Sequence, residues 1–387
     1  MTSVFEPARL GPLTLRNRVV KAATFEGRTR RGVVGPELVE FHREVAAGGV
    51  GLTTVAYCAV SPAGRVFRNC LVLDRDTVPS LRVLTDAVHA EGAAASAQLG
   101  HAGLVADQVS NGVRSLAPST RLSPVAKGLV RGASAADLAS VRASFVSAAL
   151  AAVDAGFDCL EVHLGHNYLL SSFLSPNLNR RRDSYGGSVE ARSRFPREVL
   201  SAVRDAVGDR AAVVAKLNMR DGVPQGLQVP ESLEVARLLE ADGSVDALQL
   251  TGGSSLLNGM LFFRGDVPIE EFAATQPAVL RPLVKPFLRR IMPSYPFEEA
   301  FFLDEARVFL QALSLPLVLL GGVNRVDTMQ AAVDEGFSFV ALARALLRDP
   351  DLVSRMASGA VTEGRCTHCN LCAPTIYSRE GTHCVLR

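Results

Sequence analysis

The stretch Cys159–Arg194, CLEVHLGHNYLLSSFLSPNLNRRRDSYGGSVEARSR, decides how this chain is read. It opens on an apolar run containing Leu160 and Val162. The run stops at two histidines, His163 and His166, three residues apart, and Tyr168 follows two residues later. Two neutral donors and a phenol at the end of a strand can hold a carbonyl oxygen and supply a proton to its neighbour. Arg180–Arg182 further along forms a local basic cluster, read as a solvated loop with ion pairs.

Seven more runs of the same kind flank this one: Arg18–Ala23, Gly51–Ala56, Ala94–Leu99, Val213–Leu217, Ala247–Thr251, Pro316–Gly321 and Phe339–Ala343. Most are continuously apolar rather than alternating, as expected of strands covered on both faces. Helix-like segments lie between them: Glu37–Ala47, Thr77–Glu91, Ser134–Ala155, Val189–Val207, Glu231–Glu240, Asp304–Leu313 and Val326–Glu335. Pro36, Asp76 and Pro230 supply start signals, and Gly48, Gly92, Gly156, Gly208 and Gly336 supply stops. Eight alternations without a break predict an α/β fold of the (β/α)8 TIM-barrel class. No G-x-G-x-x-G follows any strand, which weighs against a doubly wound sheet. The expected division is a barrel over residues 1–357 and a short Cys-rich C-terminal tail over 358–387. The stretch between Thr251 and Asp304 far exceeds the usual βα loop of roughly 2–6 residues. It is rich in Phe and Pro, and reads as a lid insertion after strand six, or as an oligomer contact or local subdomain.

A hydrophobic fraction of 48% is ample for a large core. A formal net charge of +2 argues against a nucleic-acid footprint. The N-terminus lacks the apolar core of a signal peptide, and no apolar run is read as spanning a membrane, so the expected location is cytoplasmic. Of seven cysteines, Cys58, Cys70 and Cys159 are scattered and read as small buried residues. The other four, Cys366, Cys369, Cys372 and Cys384, crowd the tail, which in a cytosolic chain favours metal over disulfides. Their spacing suits a 4Fe–4S cluster better than paired zinc hooks.

The order E-V-H, then His, Tyr-Leu, F-L-S-P, Asn, Arg, D-S-Y-G-G-S and a closing Arg resembles the signature of the Old Yellow Enzyme family, the NADH:flavin oxidoreductase / 2,4-dienoyl-CoA reductase-like FMN barrels. The resemblance covers residues 5–356. It implies an FMN-dependent oxidoreductase that reduces activated C=C bonds of enones or enoyl-type substrates, with NAD(P)H as hydride donor. His163 and His166 would hold the oxyanion, and Tyr168 would protonate the α-carbon. Ala23 and Thr24 would lie along the flavin, Gln98 at its pyrimidine edge and Lys216 beside N1 and O2. Gly321, Gly322, Ala343 and Arg344 would take the phosphate.

Three positions depart from the family pattern. Asn167 stands where Gly is usual, Phe25 where Thr or Cys often lies near flavin O4, and Leu104 where Arg is usual. Glu26 is expected near the flavin face, without an assigned role.

The tail resembles the cluster ligands of trimethylamine dehydrogenase and 2,4-dienoyl-CoA reductase. The sequence stops three residues past Cys384, so no onward electron-acceptor segment is expected within it. Two other functions stay open: a flavin dehydrogenase of an amine or other reduced substrate exporting electrons through a cluster, and a non-catalytic flavin- or phosphate-binding barrel. The expected partner is a small, apolar substrate. Homo-oligomerisation, and an electron-transfer partner for a cluster, are open too.

Overall fold

The computed structural model describes residues 2–387. Eight parallel strands close into a barrel: β1 (Val19–Lys21), β2 (Leu52–Ala59), β3 (Ala94–Gly100), β4 (Cys159–Leu164), β5 (Ala212–Asn218), β6 (Ala247–Thr251), β7 (Leu317–Leu320) and β8 (Phe339–Leu342). Each pairs with its neighbour in sequence, and β8 pairs back onto β1 through Val340↔Val19 and Leu342↔Lys21. All eight predicted runs are present, with β4 and β6 at the expected bounds.

The outer helices are α1 (Pro36–Ala47), α2 (Val78–Ala90), α3 (Ala135–Asp154), α4 (Val189–Val207), α5 (Val229–Asp242), α6 (Leu303–Leu310) and α7 (Val326–Glu335). Helix α3 starts at a capping box between Ser134 and Asp137, a device that contributes about 1 kcal/mol. By length and composition α3 could cross a membrane, which the sequence reading did not anticipate. Here it is a barrel helix, burying Leu138, Val141, Phe145 and Ala148 and packing on α4 and β3.

Alternation along the strands builds two layers. Leu160, Val162, Leu217, Leu248, Leu250 and Leu319 face outward, in one core with Phe145, Phe195, Leu200 and Phe309 of the helices. Val20, Ala22, Leu52, Cys159, Val214, Ala247, Val318 and Phe339 fill the interior, together with Leu10 and Leu15. Those two leucines come from an N-terminal hairpin, Ala8–Leu10 with Leu13–Leu15, that the sequence reading missed. A small sheet over residues 116–132, following β3, was also missed.

Asn17 and Arg18 fasten β1 in place. Asn17 donates to the Gly49 carbonyl at 2.7 Å, and Arg18 to that of Ser338 at 2.9 Å. The insertion after β6 folds as short helices, Met260–Phe263, Ile269–Ala274 and Arg281–Ile291, with its ends paired at Gly265↔Tyr295.

Candidate active site

Above the apolar interior layer lies a polar one, built by the next inward-facing residues of β3, β4, β5 and β6. Glu161 of β4 is its centre. Gln98 of β3 donates to one carboxylate oxygen, and Gln249 of β6 donates to the other at 2.8 Å. Lys216 of β5 is 3% exposed, yet its nearest carboxylate oxygen, on Glu161, is 3.9 Å away. That is beyond hydrogen-bond reach. A buried ammonium so loosely partnered is costly unless another acceptor completes it.

One residue further along β4, His163 pairs in register with Lys216. The His163 ring lies 4.6 Å from Tyr168 and 5.2 Å from His166, so the predicted trio meets at the C-terminal mouth. Backbone geometry makes this possible. His166 and Asn167 both have φ of +59°, a left-handed turn. Asn tolerates that region better than most residues, which explains how Asn167 replaces the expected glycine. Asn218 accepts the His166 N–H at 3.0 Å, and His166 Nε2 meets Thr251 Oγ1 at 3.0 Å. The Nδ1 of His163 is buried without a partner.

Burial lowers the basicity of both rings. His166 is pushed down to about 3 by burial and then by the Lys216 charge; His163 falls well below the ordinary imidazole value by burial, then by His166 and Lys216. Burial raises the Tyr168 phenol above its ordinary value. At neutral pH the site therefore holds two neutral imidazoles and a protonated phenol. Phe262 of the insertion packs against His166, the rings tilted by 31° with centroids 4.4 Å apart.

At the end of β7, Gly321 and Gly322 have φ of +127° and +75°. A Cβ at either would come within 2.6 Å of the Phe302 ring or 2.5 Å of the Phe301 ring. Among the described residues, neither amide N–H donates to a backbone carbonyl. Paired free amides at a strand end form an anion cradle. The chemistry of this donor set, two glycine amides, a loosely partnered lysine and a side-chain amide, suits a flavin mononucleotide. Ala343 precedes a short helix, Arg344–Arg348. The Arg344 guanidinium donates to the Arg264 carbonyl at 3.0 Å and to Asn370, so it also ties the insertion to the tail.

The β1 end differs from expectation. Thr24 Oγ1 donates to Glu26 at 3.0 Å, so its hydroxyl is engaged within the chain. Glu26 points away from the expected flavin face, into a fully buried ion cluster. Lys21 Nζ lies 2.5 Å from its Oε1, the Ala56 N–H donates to its Oε2 at 2.6 Å, and His42 Nε2 is 3.7 Å away. Burial alone would raise the Glu26 carboxyl, but Lys21 and His42 together outweigh it and hold the group ionised. The cluster pins the β1–α1 segment onto β2. Its signal was a lysine inside an apolar strand, which demands a counter-charge. Phe25 adopts φ of +54° and stacks on Tyr57. Leu104 is fully buried. Arg181 of the basic cluster pairs with Asp183 and donates to the Pro118 and Ala133 carbonyls.

Cys366, Cys369, Cys372 and Cys384 line one small cavity with Arg344 and Arg348. Among the described residues, no three metal-ligating side chains are close enough to grip one ion. Burial pushes the Cys372 thiol up to about 12, against the opposing pull of Arg344.

Residues 3–250 match the family model described as NADH:flavin oxidoreductase / NADH oxidase. The chain is 63% identical over 385 residues to a 4,4'-dithiodibutanoate disulfide reductase of Rhodococcus erythropolis, covering 100% of this chain and 95% of that protein. It is 32% identical over 389 residues to a metal reductase of Desulforamulus reducens, covering all of this chain but 53% of that one. Among solved structures, a 2-naphthoyl-CoA reductase superposes with a TM-score of 0.85 at 24% identity, over 100% of this chain and 57% of that one; at that identity the likeness speaks for the fold. With the barrel, the anion cradle and the mouth triad already in place, these matches establish that the chain belongs to the NADH:flavin oxidoreductase / NADH oxidase family and is an FMN-dependent oxidoreductase using NAD(P)H.

Proposed function

We propose that this enzyme reduces an electron-poor bond of a small, largely apolar substrate, with an activated C=C as the leading class. The observation that carries the reading is the convergence of His163, His166 and Tyr168, all uncharged, above the Lys216–Gln98 layer. Bound there, FMN reduced by NAD(P)H would supply the hydride. His163 and His166 orient the activating carbonyl and stabilise the charge that develops on its oxygen. Tyr168 delivers the proton to the α-carbon. Lys216 offers positive charge beside the pyrimidine edge, while Glu161 fixes the Gln98 amide. Gly321, Gly322, Ala343 and Arg344 would hold the phosphate, and Ala23 and Thr24 would line the flavin. Phe262 excludes water from one side.

A second reading is favoured by the Rhodococcus relative, whose name gives a disulfide as its substrate. There, hydride and one proton convert R–S–S–R to two thiols, and Tyr168 protonates the departing thiolate. We further propose that residues 358–387 form a separate cofactor-binding tail, in which the four cysteines bind a 4Fe–4S cluster. The reading places the enzyme in the cytoplasm, where unpaired thiols such as Cys58, Cys70 and Cys159 persist.

Anaerobic titration tests the substrate class. NAD(P)H should bleach the flavin band, and an enone, a disulfide or neither should restore it. Restoration by an artificial electron carrier alone would defeat both readings and favour an electron-exporting dehydrogenase.

A further inference from the structure

The insertion after β6 carries a helix that the active site does not use. No residue of Arg281–Ile291 is buried, although the sequence, RPLVKPFLRRI, is strongly amphipathic. Leu283 is 75% exposed and Phe287 46%, four residues apart on one helix face, and Val279 in the preceding turn is 79% exposed. Leu280 adds to that exposed edge. Val284, Leu288 and Ile291 are only partly covered, and the helix packs on Ile269–Ala274. A surface helix of a monomer normally turns such residues inward.

The charges on the helix are all of one sign. From Phe272 to Phe297 there is no Asp or Glu, while Arg281, Lys285, Arg289 and Arg290 are all present. Lys285 pairs with Glu270 at 2.6 Å. Arg281 donates to the Gln276 and Ala274 carbonyls. Arg289 and Arg290 are exposed and enter no ion pair among the described residues. A helix with protruding Leu and Phe beside unpaired arginines has the composition of one that lies in the plane of a membrane interface, its apolar side chains among acyl chains and its cations at anionic headgroups.

We infer that Arg281–Ile291, with Val279 and Leu280 before it, docks this enzyme peripherally on an anionic lipid bilayer. Charge complementarity selects that occupant. A second copy would bring the unpaired Arg289 and Arg290 against their own like charges, whereas anionic headgroups neutralise them.

The test is flotation of the FMN-loaded enzyme with vesicles of phosphatidylglycerol and phosphatidylcholine, and of phosphatidylcholine alone. The enzyme should float with the anionic vesicles, partition at least about tenfold less onto neutral ones, and detach as salt rises. Leu283→Ser with Phe287→Ser, and separately Arg289→Glu with Arg290→Glu, should each lower partitioning at least about tenfold. Flavin content and its reduction by NAD(P)H should be unchanged, which shows that the variants fold. Equal binding to both vesicle types, or variants that float like the parent, would overturn the proposal. So would a self-associating enzyme that the apolar pair dissociates and that ignores vesicles.

Discussion

The barrel mouth and the cysteine tail both gather chemically active side chains, but the structure holds them differently. At the mouth, each group is fixed by strand register and hydrogen bonds: Lys216 beside His163 on adjacent strands, Glu161 bonded to Gln98 and Gln249, His166 held by Asn218 and Thr251. In the tail the four thiols share a cavity but not ligand geometry, and the segment is fastened from outside. His368 stacks on Phe297, Asn370 donates to the Arg264 and Asp266 carbonyls, and Thr382 donates to the Phe25 carbonyl. A site built on strands is pre-organised, whereas one built on a loop is completed by what it binds.

The largest expected effect separates the two regions outright. Cys369→Ser should remove all iron from anaerobically prepared enzyme that otherwise holds about four per chain, while FMN content and reduction by NAD(P)H stay unchanged. A parent enzyme free of iron, with all four thiols titratable, would remove the cluster and leave the barrel assignment standing.

Arg344 lines the cysteine cavity and bonds Asn370; if it also takes the flavin phosphate, as proposed, Arg344→Ala should weaken both regions. Loss of a charge-assisted phosphate contact costs about 1.5–3 kcal/mol, so FMN affinity should fall roughly ten- to a hundredfold. Amide exchange should rise in residues 364–372, released from Asn370. Weaker FMN with an unchanged tail would break the link between the regions.

Glu161→Gln tests pre-organisation within the mouth. Removing negative charge next to Lys216 should raise the flavin potential by about 30 mV, equivalent to about 1.4 kcal/mol for two electrons. No shift, or a downward one, would show that Glu161 does not act on the flavin edge. The smallest effect expected is on pH dependence. His166 is held down to about 3 by burial and Lys216. Between that value and an ordinary imidazole value near 6.5, the unfolded chain binds a proton that the folded site does not. Acidification through that window should lower stability, without a break in the substrate half-reaction near pH 6.5. A break there would mean His166 titrates normally.

Much of this was legible in the sequence because buried parallel strands announce themselves as continuous apolar runs, and because the mouth residues sit where those runs stop. The hairpin Ala8–Leu15 and the sheet over 116–132 escaped notice: strands of two to five residues carry too little periodicity to read. Lys21, Glu26 and His42 form a cluster across a strand, a loop and a helix, and only the fold brings them together. The tail's cysteine spacing pointed to a shared site. Its attachment through Asn370 and His368 to the insertion depends on tertiary contacts that spacing does not encode.

The central claim is that Tyr168 is the proton donor of a mouth pre-formed above the flavin. Stopped-flow measurement of the two half-reactions of Tyr168→Phe tests it most directly. Flavin reduction by NAD(P)H should stay within about twofold of the parent, while reoxidation by the substrate slows by about 10²–10⁴-fold, the usual contribution of a positioned acid. Equal slowing of both half-reactions, or none in reoxidation, would contradict it.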